Sequence, residues 1–387
     1  MTNRLILTGG FAVLPSSTVK ADLILESGRI TDIITDRTIQ PGADDRVLDV
    51  TGAWILPGLI DIHCDTIEKE IEPRPNTLFP LEMAFLQFER KLAGHGITTM
   101  LHSLSLGVGL SIRGEHLVSE VIELIRKYRG TGAMIRHGVH LRYEISHLTG
   151  IPLAEQLISE GAIDYFSLMD HAPGQGQYRR EGAFERYVMK NQGVDLEEVS
   201  RIVKELQERR SQIDWDKLMA LTGQARVRGI PVASHDDDSK EAVERSKAFG
   251  AAVSEFPLEL EAAAYARSLG MGVCVGAPNI VRGGSHDGNM SAEEAVKKGA
   301  ADLLCSDYHP ASLLHAIFLL EQRGIPLAGA AALATINPAR MLGRENEIGS
   351  VEIGKKADLI VVRKHHHIPL VQHTIVDGIP IYSVHTP

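Results

Sequence analysis

Apolar positions in this chain fall into short runs of two kinds, and the kind changes along its length. In the first fifty residues the runs are brief and strand-like: Arg4-Leu5-Ile6-Leu7, Ala21-Asp22-Leu23-Ile24-Leu25 and Arg29-Ile30-Thr31-Asp32-Ile33, the last two separated by the turn Glu26-Ser27-Gly28. The last forty residues match them. Ala357-Asp358-Leu359-Ile360-Val361-Val362 follows Gly354-Lys355-Lys356, and Thr374-Ile375-Val376 passes through Asp377-Gly378, a hairpin signal, into Ile379-Pro380-Ile381-Tyr382. Neither end has enough strands for a stable sheet alone, so the two are expected to pair into one small β-sandwich.

Between the ends, strand-like and helical periods alternate. Strands are expected near 58–65, 97–103, 135–144, 165–170, 231–236, 252–257, 271–277 and 303–308. Helical patterns between them include Glu115–Tyr128, Leu196–Arg226, Ser239–Phe249, Leu258–Ser268, Ala292–Lys298 and Ser312–Arg323. Eight strand–helix alternations predict an α/β fold, a (β/α)8 TIM-like barrel over 57–344, with the sandwich formed by 1–56 and 345–387. A doubly wound sheet is the competitor, but it usually carries a glycine-rich turn after its first strand. The stretch 172–230 is one large insertion, a helical excursion placed to cover the barrel mouth.

Composition narrows the function classes. The 387 residues are 44% hydrophobic and 23% charged, which is ordinary for a folded protein. No run reaches a membrane span and no start resembles a secretory signal. Three widely spaced cysteines (Cys64, Cys274, Cys305) argue against a disulfide framework, and the chain is expected in the cytoplasm. The net charge of -10 speaks against nucleic-acid binding but not against one small anionic ligand in a locally basic pocket. Nothing here excludes a homo-oligomer.

Candidate chemistry lies at the ends of the barrel runs. His63-Cys64-Asp65 closes the first, with His63 and Asp65 on one face by alternation. His140, Arg142 and Glu144 share a face at the end of the third; His171 follows the fourth, His235 ends the fifth and Asp307 the eighth. Barrel active sites form from the C-terminal ends of several strands, so these positions converge. Three imidazoles and three carboxylates suit two divalent metals, with zinc preferred and manganese or iron compatible. The expected ligands are His63, Asp65, Glu144, His171, His235 and Asp307. Asp307 is also expected to orient the nucleophile and accept its proton, and Cys64 should point away from the metals. His365-His366-His367 reads as a solvated loop, and the charge-dense segment Glu197–Arg210 as a wet helix face.

With these residues in place the chain resembles the amidohydrolase superfamily. Trp54-Ile55-Leu56-Pro57-Gly58-Leu59-Ile60-Asp61-Ile62-His63 is similar to its entry into the barrel, and Gly349-Ser350-Val351-Glu352-Ile353-Gly354-Lys355-Lys356-Ala357-Asp358-Leu359 to its return to the sandwich. Asp65 stands where a second histidine is usual, and Glu144 replaces the bridging carboxylated lysine. Ser167–Gln175, Ala233–Asp237, Gly276–His286 and Ser306–Leu314 resemble one branch, the alpha-D-ribose 1-methylphosphonate 5-triphosphate diphosphatases of phosphonate catabolism in the carbon–phosphorus lyase pathway. That resemblance implies cleavage of a ribose 5-triphosphate into pyrophosphate and the 5-phosphate.

The residues suit a phosphorylated sugar in their own right. Arg282-Gly283-Gly284-Ser285-His286 offers a cation, close-approaching backbone, a hydroxyl and an imidazole, and Lys69, Arg74, Arg142 and Arg179 are further phosphate candidates. Glu259, if it faced the pocket, would repel a triphosphate. The alternative chemistry on the same metals is hydrolysis or deamination at a cyclic amide or imine C–N bond. A scaffold that has lost catalysis is disfavoured by the intact ligand set.

Overall fold

The computed structural model describes residues 4–36, 39–74, 77–107, 115–130, 132–180, 182–192, 195–285 and 288–384. The N-terminal strands are β1 (Leu5–Val13), β2 (Thr18–Glu26), β3 (Arg29–Ile34), β4 (Arg46–Asp49) and β5 (Trp54–Pro57). The eight barrel strands follow: β6 (Leu59–Cys64), β7 (Ile97–Leu106), β8 (Arg136–Glu144), β9 (Tyr165–Met169), β10 (Val232–His235), β11 (Val253–Glu255), β12 (Gly272–Gly276) and β13 (Leu303–Cys305). The C-terminal strands are β14 (Leu359–His365), β15 (Ile368–Val376) and β16 (Ile379–Ser383).

β6 to β13 pair in sequence order, each parallel to the next, as right-handed strand–helix crossovers require. The ring closes between its ends: the Asp65 amide donates to the Asp307 carbonyl and the Asp307 amide to the His63 carbonyl, both at 2.9 Å. Hydrophobic residues fill both faces. Ile60, Ile62, Leu101, Tyr165, Ala233, Val253 and Leu303 pack inside the barrel, and a larger cluster packs the strands against the helices. The α/β barrel is therefore the fold, and no glycine-rich phosphate turn follows β6.

The two ends join one mixed sheet in the order β16-β15-β14-β5-β1-β2-β3, with β4 beside β1. Leu5, Leu7, Leu23, Ile55, Leu359, Val361 and Ile375 share its own core. One residue, Gly58, separates the sheet from the barrel. Its amide bonds the Asp358 carbonyl at 2.8 Å while the next amide, Leu59, bonds the Gly96 carbonyl. A β-carbon at Gly58 would meet Thr98 Oγ1 at 2.2 Å, so only glycine fits the crossing. The Asp377-Gly378 turn takes positive φ at both residues, as its sequence demands.

One helix departs from expectation. The pattern read as Leu196–Arg226 is two helices, Leu196–Ser211 and Trp215–Val227. Asp214 caps the second by accepting the Lys217 amide, and a local cap here outweighs a continuous apolar period.

Candidate metal centre

The site stands on the C-terminal rim of the barrel. Asp65, Glu144, His171, His235 and Asp307 all line one cleft of about 1130 Å³, and His63 lies buried beneath it. Glu144 ends β8 and reaches His171 after β9, with Oε2 3.0 Å from His171 Nδ1. The His235 ring centre is 5.7 Å from that of His171 and 5.6 Å from that of His63. The six expected positions thus stand at five strand ends around one cleft. Cys64 turns the other way into the strand–helix core, its Sγ near Thr66 Oγ1.

Two carboxylates that the sequence reading did not assign join them. Asp236 follows His235, and its Oδ2 is 3.1 Å from His235 Nδ1 and 3.9 Å from His171 Nε2. Glu255 ends β11 fully buried, with Oε1 2.9 Å from His63 Nδ1. His171, His235 and Asp236 form one group whose donor atoms lie within 4.8 Å of one another, and His63, His235 and Glu255 form a second. Asp236 follows the chosen His235, whereas Glu255 stands beside His235 only through the β10–β11 register.

The backbone is strained here. Asp236 (φ 58), Phe256 (φ 51) and Asp307 (φ 58) are non-glycine residues in the left-handed region, all just past barrel strands. Burial, then the Asp65 carboxylate, push the Asp307 carboxyl up to about 7. Burial opposes charge on His235, but Asp236 outweighs it and holds that imidazole above its ordinary value. Burial, then Arg142, holds His63 well below its ordinary value.

The donor set fits divalent metals. Asp65 Oδ1, His235 Nδ1 and Asp236 Oδ2 are buried at this rim without a hydrogen-bond partner; the close approach of the last two lacks hydrogen-bond alignment. Unpartnered buried polar atoms are rare and costly, and clustered N and O donors are what a metal would satisfy. The nearby cation, Arg142, is buried with Nη2 3.3 Å from His235 Nε2.

The expected substrate contacts divide. Lys69, Arg142, Arg282 and Ser285 line the cleft. His286 lies outside the described residues. Arg179 is not among the lining residues: it is ion-paired to Glu259 at 2.5 Å. The same pair answers the concern about Glu259, which is neutralised outside the cleft while Leu258 lines it. Arg282 ends a short helix, Ala277–Arg282, capped by Gly283 at φ 80.

The helix Leu196–Ser211 is more than a wet face. Glu198, Arg201, Ile202, Glu205, Leu206 and Arg209 line the cleft, so the insertion roofs it. Arg210 ties the roof to the barrel through Asp170 at 2.9 Å and Gln175 at 3.1 Å. Lys69, Arg209 and Arg282 have no acidic partner among the described residues, in a chain of net charge -10. Arg209 gave no sequence signal, since its helix carries many paired charges.

A model of the amidohydrolase family matches residues 54–381. The chain is 36% identical over 366 residues to the alpha-D-ribose 1-methylphosphonate 5-triphosphate diphosphatase of Escherichia coli (strain K12), covering 92% of this chain and 94% of that protein. It is 24% identical over 379 residues to the imidazolonepropionase of Geobacillus sp. (strain WCH70), covering 90% and 85%. Among solved structures, a D-hydantoinase superposes with TM-score 0.64 at 16% identity, covering 99% and 95%. N-acetylglucosamine-6-phosphate deacetylase from Pasteurella multocida superposes with TM-score 0.64 at 11% identity, covering 97% and 99%. At those identities the structural likeness speaks for the fold alone.

Proposed function

The chain belongs to the amidohydrolase family, and we propose that it hydrolyses alpha-D-ribose 1-methylphosphonate 5-triphosphate to the 5-phosphate and pyrophosphate. The observation that carries this reading is the 36% identity to the Escherichia coli diphosphatase over nearly the full length of both chains. The cleft has room for a drug-sized polar ligand, and Lys69, Arg209 and Arg282 offer cations that have no acidic partner among the described residues.

In the reaction, water adds across the link between the first and second phosphorus atoms. Its oxygen bonds to the first phosphorus, the bridging oxygen leaves with pyrophosphate, and one water proton goes to the protein. His63, Asp65, Glu144, His171, His235 and Asp307 would hold two divalent metals, with Asp236 as a further donor. Such metals lower the pKa of a water and neutralise charge on phosphate oxygens. Their N and O donor set suits zinc, manganese or iron, zinc first.

Asp307 is the base. Its carboxyl sits beside Asp65 at the β13 end and has an affinity for protons near neutrality. Arg142, fixed against His235, places a full positive charge at the floor, and Ser285 offers a hydroxyl on the β12 side. Lys69, Arg209 and Arg282 surround the mouth, where the outer phosphates would lie. The roof helix limits water around the substrate once the cleft is filled.

The test is release of pyrophosphate from ribose 5-triphosphates by metal-replete protein, run beside ammonia and ring-opening assays on cyclic amides, imines and imidazolones. Pyrophosphate with the 5-phosphate supports the reading. Ammonia release or ring opening without pyrophosphate would replace it with the C–N hydrolase chemistry.

A further inference from the structure

Beneath the rim, five buried side chains inside the barrel form one hydrogen-bonded circuit that begins and ends on adjacent residues of β6. The Cys64 amide donates to Ser103 Oγ at 3.0 Å, and Ser103 Oγ lies 3.0 Å from His140 Nδ1. His140 Nε2 meets Ser167 Oγ, whose hydroxyl donates to Glu255 Oε2 at 2.6 Å. Glu255 Oε1 is 2.9 Å from His63 Nδ1. All five side chains, Ser103, His140, Ser167, Glu255 and His63, are essentially inaccessible to solvent.

Donor and acceptor chemistry gives the circuit one direction. A carboxylate only accepts, so Ser167 spends its hydroxyl proton on Glu255 and accepts from His140 Nε2–H. His140 Nδ1 is then bare and accepts from Ser103, which accepts from the Cys64 amide, a group that only donates. By the same logic His63 carries its proton on Nδ1, because Glu255 accepts it there. His63 Nε2 is left as the only ring atom able to bind a metal.

We propose that Glu255 is a positioning residue of the metal centre: its carboxylate, held by Ser167, locks His63 in the Nδ1–H tautomer. Glu255 also belongs to a donor group with His63 and His235, so direct ligation is the competing role. Hydrogen bonding separates the two. Both Glu255 oxygens are hydrogen-bonded, whereas Asp65 Oδ1 and Asp236 Oδ2 have no hydrogen-bond partner. A carboxylate behind a ligating histidine fixes ring and tautomer together, and losing such a partner typically weakens metal binding 10–100-fold. The network spans β6, β7, β8, β9 and β11, so it also sets the register of the ring of strand ends.

The inference rests on reading the rim as a metal site but not on the triphosphate substrate, and both of its readouts are taken without substrate. The first is the 15N spectrum of ring-labelled metal-free protein, with His63 assigned by its loss in His63→Gln. The expected signal is Nδ1–H; an Nε2–H ring at His63 would overturn the proposal. The second is metal affinity by chelator competition. Glu255→Gln keeps an accepting oxygen toward His63 and should hold metal within about tenfold of wild type, while Glu255→Leu should lose about 10–100-fold. Wild-type affinity in Glu255→Leu, or a loss in Glu255→Gln as complete as that in Glu255→Leu, would also overturn it. Should Glu255→Leu fail to fold, the wild-type spectrum and Glu255→Gln still decide. A wild-type chain that binds no divalent metal fells the metal-site reading itself, a result the tautomer alone cannot produce.

Discussion

At position 307 three demands meet on one side chain. Asp307 closes the barrel ring through its backbone, adopts φ 58, and carries a carboxyl that burial and Asp65 raise to about 7. Asparagine tolerates that backbone and keeps the size, but it cannot take a proton from water. Metal-replete Asp307→Asn should fold and lose roughly a hundredfold or more in turnover, the scale of lost general-base catalysis; turnover near wild type would exclude the role. Stability should move the other way. Without metal, the folded carboxyl binds a proton more tightly than the unfolded one, whose ordinary value is 3.8. Its contribution to the fold is therefore complete below 3.8 and lost as pH rises through about 7. Metal-free Asp307→Asn should melt higher than metal-free wild type at about pH 8, and the gap should close toward pH 4, as thermal scans across that range would show. Arg209 makes the complementary case. If it meets only outer phosphates, Arg209→Ala should raise KM roughly tenfold or more and leave kcat within a few-fold, since it removes binding shared by ground and transition states. A matching fall in kcat would place it nearer the reacting phosphorus.

Among elements, the junction of β5 and β6 is the least forgiving. The run from Trp54 to His63 reads as one strand, yet its two halves serve two sheets, with Gly58 between them against Thr98. Gly58→Ala should destabilise by about 1–3 kcal/mol through overpacking. Because the displaced chain leads to His63, metal affinity should fall with it, and Thr98→Gly should restore both; an unaltered melting temperature would show that the junction has slack. The roof helix shows the opposite relation between pattern and role. Its sequence has the mixed charges of a solvated surface, and Arg201 is indeed paired with Glu198 and Glu205. The same three residues nevertheless line the cleft, together with Ile202, Leu206 and Arg209, because Arg210 and Asp170 hold the insertion against the barrel.

For the whole molecule, we propose boundaries near 57 and 345, with the two ends as one composite unit beside the barrel. β5 lies between β1 and β14, so removing 345–387 leaves β5 with an open edge, removing 1–56 takes β5 away and opens β14, and either loss exposes the shared core. Deleting 1–56 or 345–387 should give insoluble protein, and a soluble, metal-binding 57–344 fragment would refute the barrel's dependence on the composite sheet. No helix among the described residues is long and apolar enough to cross a membrane.

The fold was legible in the sequence because alternation of period is a local property. Each strand run and most helices could be read from a dozen residues, and the hairpin at Asp377-Gly378 from two. That the six expected positions gather around one cleft was legible for the same reason: a strand's end, and the face its last residues share, follow from spacing alone. Tertiary structure decided everything that depends on which element lies opposite. It paired Arg179 with Glu259, brought Arg209 over the cleft, divided one apolar run between two sheets, and set Glu255 behind His63 rather than in solvent. Charges and carboxylates look alike in sequence wherever they fall. Burial and the partner across the barrel give each its protonation state and its work, and both are fixed only when distant strands close the ring.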